Sequence, residues 1–170
     1  MEKTIILGVD PGINTTGYAV LGKKGSQLQL LEGGVIRGKS KETLPLRIYE
    51  IYRNLKEIIE TWSPQAMALE EVYSHYERPK TAILMGHVRG VICLSAAEKA
   101  IPVYSYSATT VKKTITGSGR ASKQQMQRAI QLEFRLERLP EPADLADALA
   151  IAICHGYHCR GLGPFPGEKF

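Results

Sequence analysis

Four carboxylates stand at positions where an acid is costly unless it is used. Asp10 closes the apolar run Ile5-Ile6-Leu7-Gly8-Val9, immediately before Pro11-Gly12. Glu70 follows a second run, Ala66-Met67-Ala68-Leu69. Asp144 and Asp147 open a third segment, spaced i and i+3, so that both project from one face of a helix. Structural roles stay open for three of them. Asp10 can cap its own turn, Asp144 can be an N-cap, and Glu70 can be a solvated strand end with Glu71 competing for any role. Asp147 is harder to explain this way, because it lies past the capping position inside Leu145-Ala146-Asp147-Ala148-Leu149-Ala150-Ile151-Ala152-Ile153. Carboxylates that converge with no adjacent Lys or Arg repel one another unless a divalent cation sits among them. Oxygen-only donors completed by water suit Mg²⁺ or Mn²⁺. Two such ions about 4 Å apart can activate a water and stabilise the leaving oxygen in phosphodiester hydrolysis. No nucleophilic Ser or Cys is needed for that chemistry, and none is convincingly placed.

The elements that carry these acids follow from hydrophobic periodicity. The run before Asp10 predicts a fully buried strand stopped by a Pro-Gly turn, which places the carboxylate at the rim of a sheet, where open α/β sheets bind ligands. Residues 17–21 and 27–31 flank a Gly-Lys-Lys-Gly-Ser turn and predict an antiparallel meander. The last of these strands resumes at 35–37, with Gly33-Gly34 read as a bulge. Leu44 to Trp62 has helical spacing, with Ser63-Pro64 ending it. Residues 66–72 then form a fourth strand, parallel to the first if the helix is a crossover. Alternation sends Glu70 and Glu71 to opposite faces, so one of the two joins a site beside Asp10. Pro79 to Lys99 is one long helix or two broken ones, rich in small residues. Residues 101–106 form a fifth strand, its Pro102 favouring an edge position. Helices are expected over 108–115, from Lys123, and from 142 to about Tyr157, the last one apolar almost all round and therefore buried. The fold class is α/β: a mixed five-stranded sheet, three antiparallel strands then two parallel, with helices on both faces.

Composition bounds the rest. A chain of 170 residues suits one domain, 1–159, followed by a Gly- and Pro-rich tail, 160–170, expected to lack regular structure. No apolar stretch reaches the roughly 18 residues of a membrane span, and the N-terminus has no signal-peptide pattern. Three scattered cysteines give no disulfide framework, which makes a reducing cytoplasm the simplest location. The net charge of +5 tilts only mildly toward a polyanionic partner. Its distribution tilts further: Lys112, Lys113, Arg120, Lys123 and Arg128 fall in a stretch from Val111 to Arg128 without one acid. The loop Gly117-Ser118-Gly119-Arg120-Ala121-Ser122 before a helix N-terminus can offer backbone N–H groups and a flexible Arg to phosphate. A solvated mobile loop is the plainer reading of the same residues. It is not a nucleotide P-loop, because the Gly-Lys-Ser/Thr ending is missing. Cys154-His155-Gly156-Tyr157-His158-Cys159 invites a zinc reading. On a helix, however, Cys154/His158 and His155/Cys159 form two i, i+4 pairs on adjacent faces rather than one tetrahedral set, so a helix end is expected.

Three segments together resemble a known family. Ile6-Leu7-Gly8-Val9-Asp10-Pro11-Gly12 with Thr16-Gly17-Tyr18, then Ala68-Leu69-Glu70-Glu71-Val72-Tyr73, then Asp144-Leu145-Ala146-Asp147-Ala148-Leu149-Ala150-Ile151-Ala152, are similar to the RuvC family of Holliday-junction resolvases, in order and spacing from Thr4 to about Tyr157. The resemblance implies a ribonuclease H-like fold, a cytoplasmic homodimer, and paired symmetric nicking of four-way DNA junctions in recombination and repair. It implies two Mg²⁺ ions per subunit, with Mn²⁺ able to substitute, held by Asp10, Glu70, Asp144 and Asp147, and it favours Glu70 over Glu71. Some members carry His at the position of Asp144. Lys112 and Lys123 match basic positions near the scissile phosphate. Tyr73 matches an aromatic position that works against unpaired bases, where stacking contributes about 1–3 kcal/mol; strand-end packing is its plainer role. Tyr76, Arg78 and Lys80 extend that surface on weaker grounds. The RuvA–RuvB branch-migration complex is an implied partner, and the helix 81–97, with its small residues, an implied dimer surface.

Two other classes remain. Actin, Hsp70 and sugar-kinase phosphotransferases also open on an Asp-x-Gly turn followed by Thr and Gly, but they need two lobes around a nucleotide, and a second Asp-x-Gly phosphate motif is absent. A junction-binding protein without catalysis is the other, and it gains nothing from four anions facing DNA.

Overall fold

The computed structural model describes residues 3–38, 41–71 and 79–159. Its sheet is built from β1 (Thr4–Asp10), β2 (Thr15–Lys24), β3 (Gln27–Arg37), β4 (Ala66–Glu70) and β5 (Val103–Tyr106), in the spatial order β3-β2-β1-β4-β5. The pairs β1–β2 and β2–β3 are antiparallel, while β1–β4 and β4–β5 are parallel. This is the mixed sheet expected, with β5 on the edge. Pro102 precedes β5, and its carbonyl accepts the Met67 N–H at 2.9 Å.

Alternation along the strands divides the core in two. On one face Leu7, Val9, Val20, Met67 and Leu69 pack under α1 (Leu44–Trp62) and α2 (Pro79–Ala97). On the other, Ile6, Ala19, Leu21 and Ala68 pack under α3 (Ala108–Thr116), α4 (Lys123–Phe134) and α5 (Ala143–His158). Residues 148–156 of α5 are buried without interruption, as a helix apolar on all sides requires.

The bulge lies elsewhere than expected. Gly33 and Gly34 pair regularly with Ala19 and Tyr18, and the register instead shifts where Val20 faces Glu32 and Leu21 faces Leu30. Leu31 is therefore the extra residue. Leu31 packs in the α1–α2 core, and Glu32 reaches the same side, accepting from Tyr18 Oη at 2.8 Å and Trp62 Nε1 at 2.7 Å. A bulge is what lets two successive residues share a face. The paired glycines serve close packing: a methyl group at Gly33 would fall 2.7 Å from Leu145 Cδ1 of α5. Two strands are also shorter than expected. β4 ends at Glu70, not at Val72, and β5 starts at Val103, with Ile101 buried in the turn before it. The expected tail, 160–170, lies outside the described residues.

Candidate active site

Asp10 and Glu70 reach one edge of the sheet because their strands run parallel in register. Val9 is opposite Leu69 in the last β1–β4 pair, so the next residue of each strand, Asp10 and Glu70, ends its strand beside the other. The turn that follows Asp10 is held from within and from behind. The hydroxyl of Thr16, fully buried, donates to the Gly12 carbonyl at 2.7 Å. From α1, Arg47 Nη2 donates to the Ile13 carbonyl at 3.0 Å and also bonds Asn14 Oδ1.

The other two acids arrive on α5, and small residues let that helix come close. A methyl group at Gly17 would lie 1.9 Å from the Asp144 carbonyl oxygen, and one at Gly8 would lie 2.5 Å from the Ala148 carbonyl oxygen. Any side chain at either position would push α5 outward. The N-cap of α5 is Pro142 and makes no side-chain cap bond, so Asp144 sits within the first turn, not at the capping position.

The charges feel one another. Burial, then the like charges of Asp147, Glu70 and Asp144, push the Asp10 carboxyl up to about 7, with Lys123 opposing. Glu70 is raised by burial and then by Asp147, against Lys112 and Lys123. Asp147 is raised by burial, opposed by Lys123, and raised further by Asp144. The four acids thus share one partly desolvated region. Beyond Glu70, the Glu71 N–H extends the ladder to the Tyr106 carbonyl at 2.9 Å. Among the described residues no group of three or more His, Cys, Asp or Glu side chains stands close enough together to hold a metal ion.

Lys123 is the cation acting on Asp10, and Lys112 and Lys123 both act on Glu70 and Asp147. Lys123 Nζ is 3.7 Å from Asp147 Oδ2. It is the first residue of α4, whose N-terminus is fixed by a capping box: Ser122 Oγ accepts the Gln125 N–H at 3.2 Å, and Gln125 Oε1 accepts the Ser122 N–H at 2.8 Å. Lys113, in α3, and Arg120, on the connection to α4, are exposed. Lys80 is exposed at the start of α2, while Tyr73, Tyr76 and Arg78 lie outside the described residues.

The Cys–His run ends α5, as expected. Cys154 Sγ approaches His158 Nδ1 at 3.7 Å, and Cys159 Sγ approaches His155 Nε2 at 2.9 Å, in two separate pairs. Tyr106 Oη meets the other ring nitrogen of buried His155 at 2.7 Å. Burial, with Lys23 and His158, lowers His155 to about 4, so the ring is neutral.

Sequence reasoning passed over Arg89, whose guanidinium bonds the Glu70 backbone carbonyl. The signal was present. Arg89 is a lone charge within the otherwise apolar Val88-Arg89-Gly90-Val91-Ile92-Cys93-Leu94, the same anomaly that marks Asp147.

Comparison with known proteins identifies the family and the fold. The family model described as crossover junction endodeoxyribonuclease RuvC matches residues 6–155. A protein of that description from Rhodopirellula baltica is 53% identical over 152 residues, covering 89% of this chain and 85% of the relative. One from Petrotoga mobilis is 44% identical over 158 residues, covering 93% and 96%. Among solved structures, T. thermophilus RuvC in complex with Holliday junction substrate superposes with a TM-score of 0.87 at 32% identity, covering 92% of this chain and 95% of that one. The sheet order and helix placement are those of the ribonuclease H-like fold.

Proposed function

The chain belongs to the RuvC family of crossover junction endodeoxyribonucleases, and from that membership we propose that Asp10, Glu70, Asp144 and Asp147 hold two divalent cations for the hydrolysis of DNA strands at a four-way junction. The observation that carries the proposal is the coupling of the acids: Asp10 rises to about 7 under burial and three like charges. Such a set is unfavourable as it stands and fits hard cations, since every donor is a carboxylate oxygen. Mg²⁺ is the preferred ion, with Mn²⁺ able to replace it. When bound, the pair supplies an activated water and charge stabilisation for the departing oxygen.

The residues of this chain do the remaining work. The β1–β4 register and the close seat of α5 keep the four carboxylates on one edge, so that little reorganisation is needed when substrate arrives. Lys123 and Lys112 place positive charge beside them, where the phosphate of the cut strand would lie. Lys113 and Arg120 extend that positive surface along the backbone, and Tyr73 stacks against an unpaired base. Paired nicking calls for a second subunit. The outer face of α2 serves it: Ile83 and Leu94 are exposed there at 63% and 55%, and Gly86 and Gly90 have open space where a side chain would stand. The RuvA–RuvB complex is the expected supplier of junctions, and the cytoplasm the expected location. No helix among the described residues is long and apolar enough to cross a membrane.

Incubation with a synthetic four-way junction and Mg²⁺ tests the reading. Paired symmetric nicks are expected, lost in Asp10→Asn while junction binding persists. Absence of cleavage by the intact protein in both Mg²⁺ and Mn²⁺ would overturn it.

A further inference from the structure

Arg89 links a helix on one side of the sheet to the strand end that carries Glu70. Its neighbours in α2, Val88 and Ile92, are fully buried in the core under the sheet. Arg89 itself is half-buried, and its guanidinium forks. Nη1 donates to the Glu70 backbone carbonyl, and Nη2 donates to Ser105 Oγ of β5 at 2.7 Å. The place of that fork matters. The ladder between β1 and β4 has its last pair at Val9 and Leu69, so Glu70 lies one residue beyond the support of β1. On the other side, Ser105 and Tyr106 pair with Leu69 and Glu70. Arg89 thus supplies a donor where the β1–β4 pairing stops, and ties that carbonyl to the neighbouring strand.

We propose that Arg89 is a positioning residue for the reaction, fixing the backbone of Glu70 against β5 so that its carboxylate enters the site in one orientation. The inference rests on the reading of Glu70 as a cation ligand. A planar guanidinium is suited to this, because its two terminal nitrogens reach two acceptors in a fixed geometry. A lysine ammonium at the same position reaches one acceptor or the other. The mechanical consequence is specific: loosening the fork leaves the charge of Glu70 in place but blurs its position. Groups that orient metal ligands in this way typically cost about 10- to 100-fold in metal affinity or activity when removed.

The test uses the full-length protein. Mn²⁺ binding is measured by calorimetry on the metal-free protein, junction binding in EDTA, and cleavage in Mn²⁺, for Arg89→Lys, Arg89→Ala, Ser105→Ala, Glu70→Gln and the double variant Arg89→Lys/Glu70→Gln. Arg89→Lys is expected to weaken Mn²⁺ binding about tenfold, with junction binding unchanged, and Ser105→Ala to give a smaller loss in the same direction. The double variant is expected to bind Mn²⁺ no worse than Glu70→Gln alone, because a positioning residue has nothing left to position. Mn²⁺ affinity unchanged in Arg89→Lys overturns the inference, as does a loss that adds in full to that of Glu70→Gln, which marks a role in folding alone. If Glu70→Gln itself leaves Mn²⁺ binding and cleavage intact, the ligand reading of Glu70 fails, and the inference falls with it. Should Arg89→Ala not fold, Arg89→Lys and Ser105→Ala carry the same comparison.

Discussion

Asp10 is where burial and charge oppose each other most. Its carboxyl lies near 3.8 in the unfolded chain and at about 7 in the fold. Between those values the folded protein holds a proton that the unfolded chain has released, so stability falls as pH rises through that window. At 1.36 kcal/mol per unit, the full penalty above the window has an upper bound of about 4 kcal/mol. In EDTA, Asp10→Asn is therefore expected to be more stable than the natural protein at pH 8, with the advantage shrinking toward pH 4; urea unfolding at several pH values measures it. Adding Mn²⁺ should raise the unfolding midpoint of the natural protein at pH 8 and leave that of Asp10→Asn nearly unmoved. Cleavage by the natural protein should rise with pH through about 7, and that midpoint should move lower as Mn²⁺ increases, since cation and proton compete for the same oxygens. A variant with no stability advantage at pH 8 would mean that the buried charge is already compensated within the fold.

Two close-packed glycines decide where α5 lies, and hence whether four acids form one site. Gly17→Ala sets a methyl group against the Asp144 carbonyl, at an undisturbed separation of 1.9 Å. Relieving that overlap requires the first turn of α5 to move, at about 1–3 kcal/mol in folding stability. The expected signature is a loss of cleavage and Mn²⁺ affinity larger than the modest drop in stability explains. Full activity in a destabilised Gly17→Ala protein would show that α5 can shift without consequence. How far the sequence discloses these elements follows the same division between local and distant causes. β1, β4 and α5 are legible, because an apolar run broken by one acid is a local pattern, and the three acids-in-apolar-runs define three sides of the site. The bulge is not. Gly33-Gly34 reads locally as a break in a strand, but its glycines answer to Leu145 and Tyr18, and the true bulge at Leu31 turns Glu32 toward Trp62, 30 residues away. Arg89 stands out in the sequence as a lone charge in an apolar run, but its role does not, since its partners lie on two strands that no spacing rule connects to α2.

Across the whole molecule, the two faces of the sheet divide the labour proposed for them. α3 and α4, on one face, carry Lys112, Lys113 and Lys123, with Arg120 on the connection between them, and of these Lys112 and Lys123 lie near the acids. If these side chains neutralise phosphates, log affinity for a junction should fall linearly with log salt, and each Lys or Arg replaced by Ala should reduce the slope by about 1. Filter-binding or anisotropy titrations in EDTA read that slope without cleavage. Equal slopes for Lys113→Ala, Arg120→Ala and the natural protein would remove those two residues from the interface. α2, on the opposite face, is the surface proposed for the second subunit, and its glycines permit a test free of the usual ambiguity between misfolding and dissociation. A side chain at Gly86 meets nothing within 4 Å in the isolated subunit. Replacing a helical glycine removes a conformational cost of up to about 1 kcal/mol, so Gly86→Arg should leave the single subunit as stable as before or slightly more so. Between two subunits packed through that face, the same side chain has no room, and its charge would be buried without a partner. Sedimentation should then show monomers of unchanged secondary structure, and the paired nicks should give way to slow, unpaired ones, because a single subunit presents one acidic site to a junction with two strands to cut. A dimer that survives Gly86→Arg at natural strength would place the subunit contact on another face.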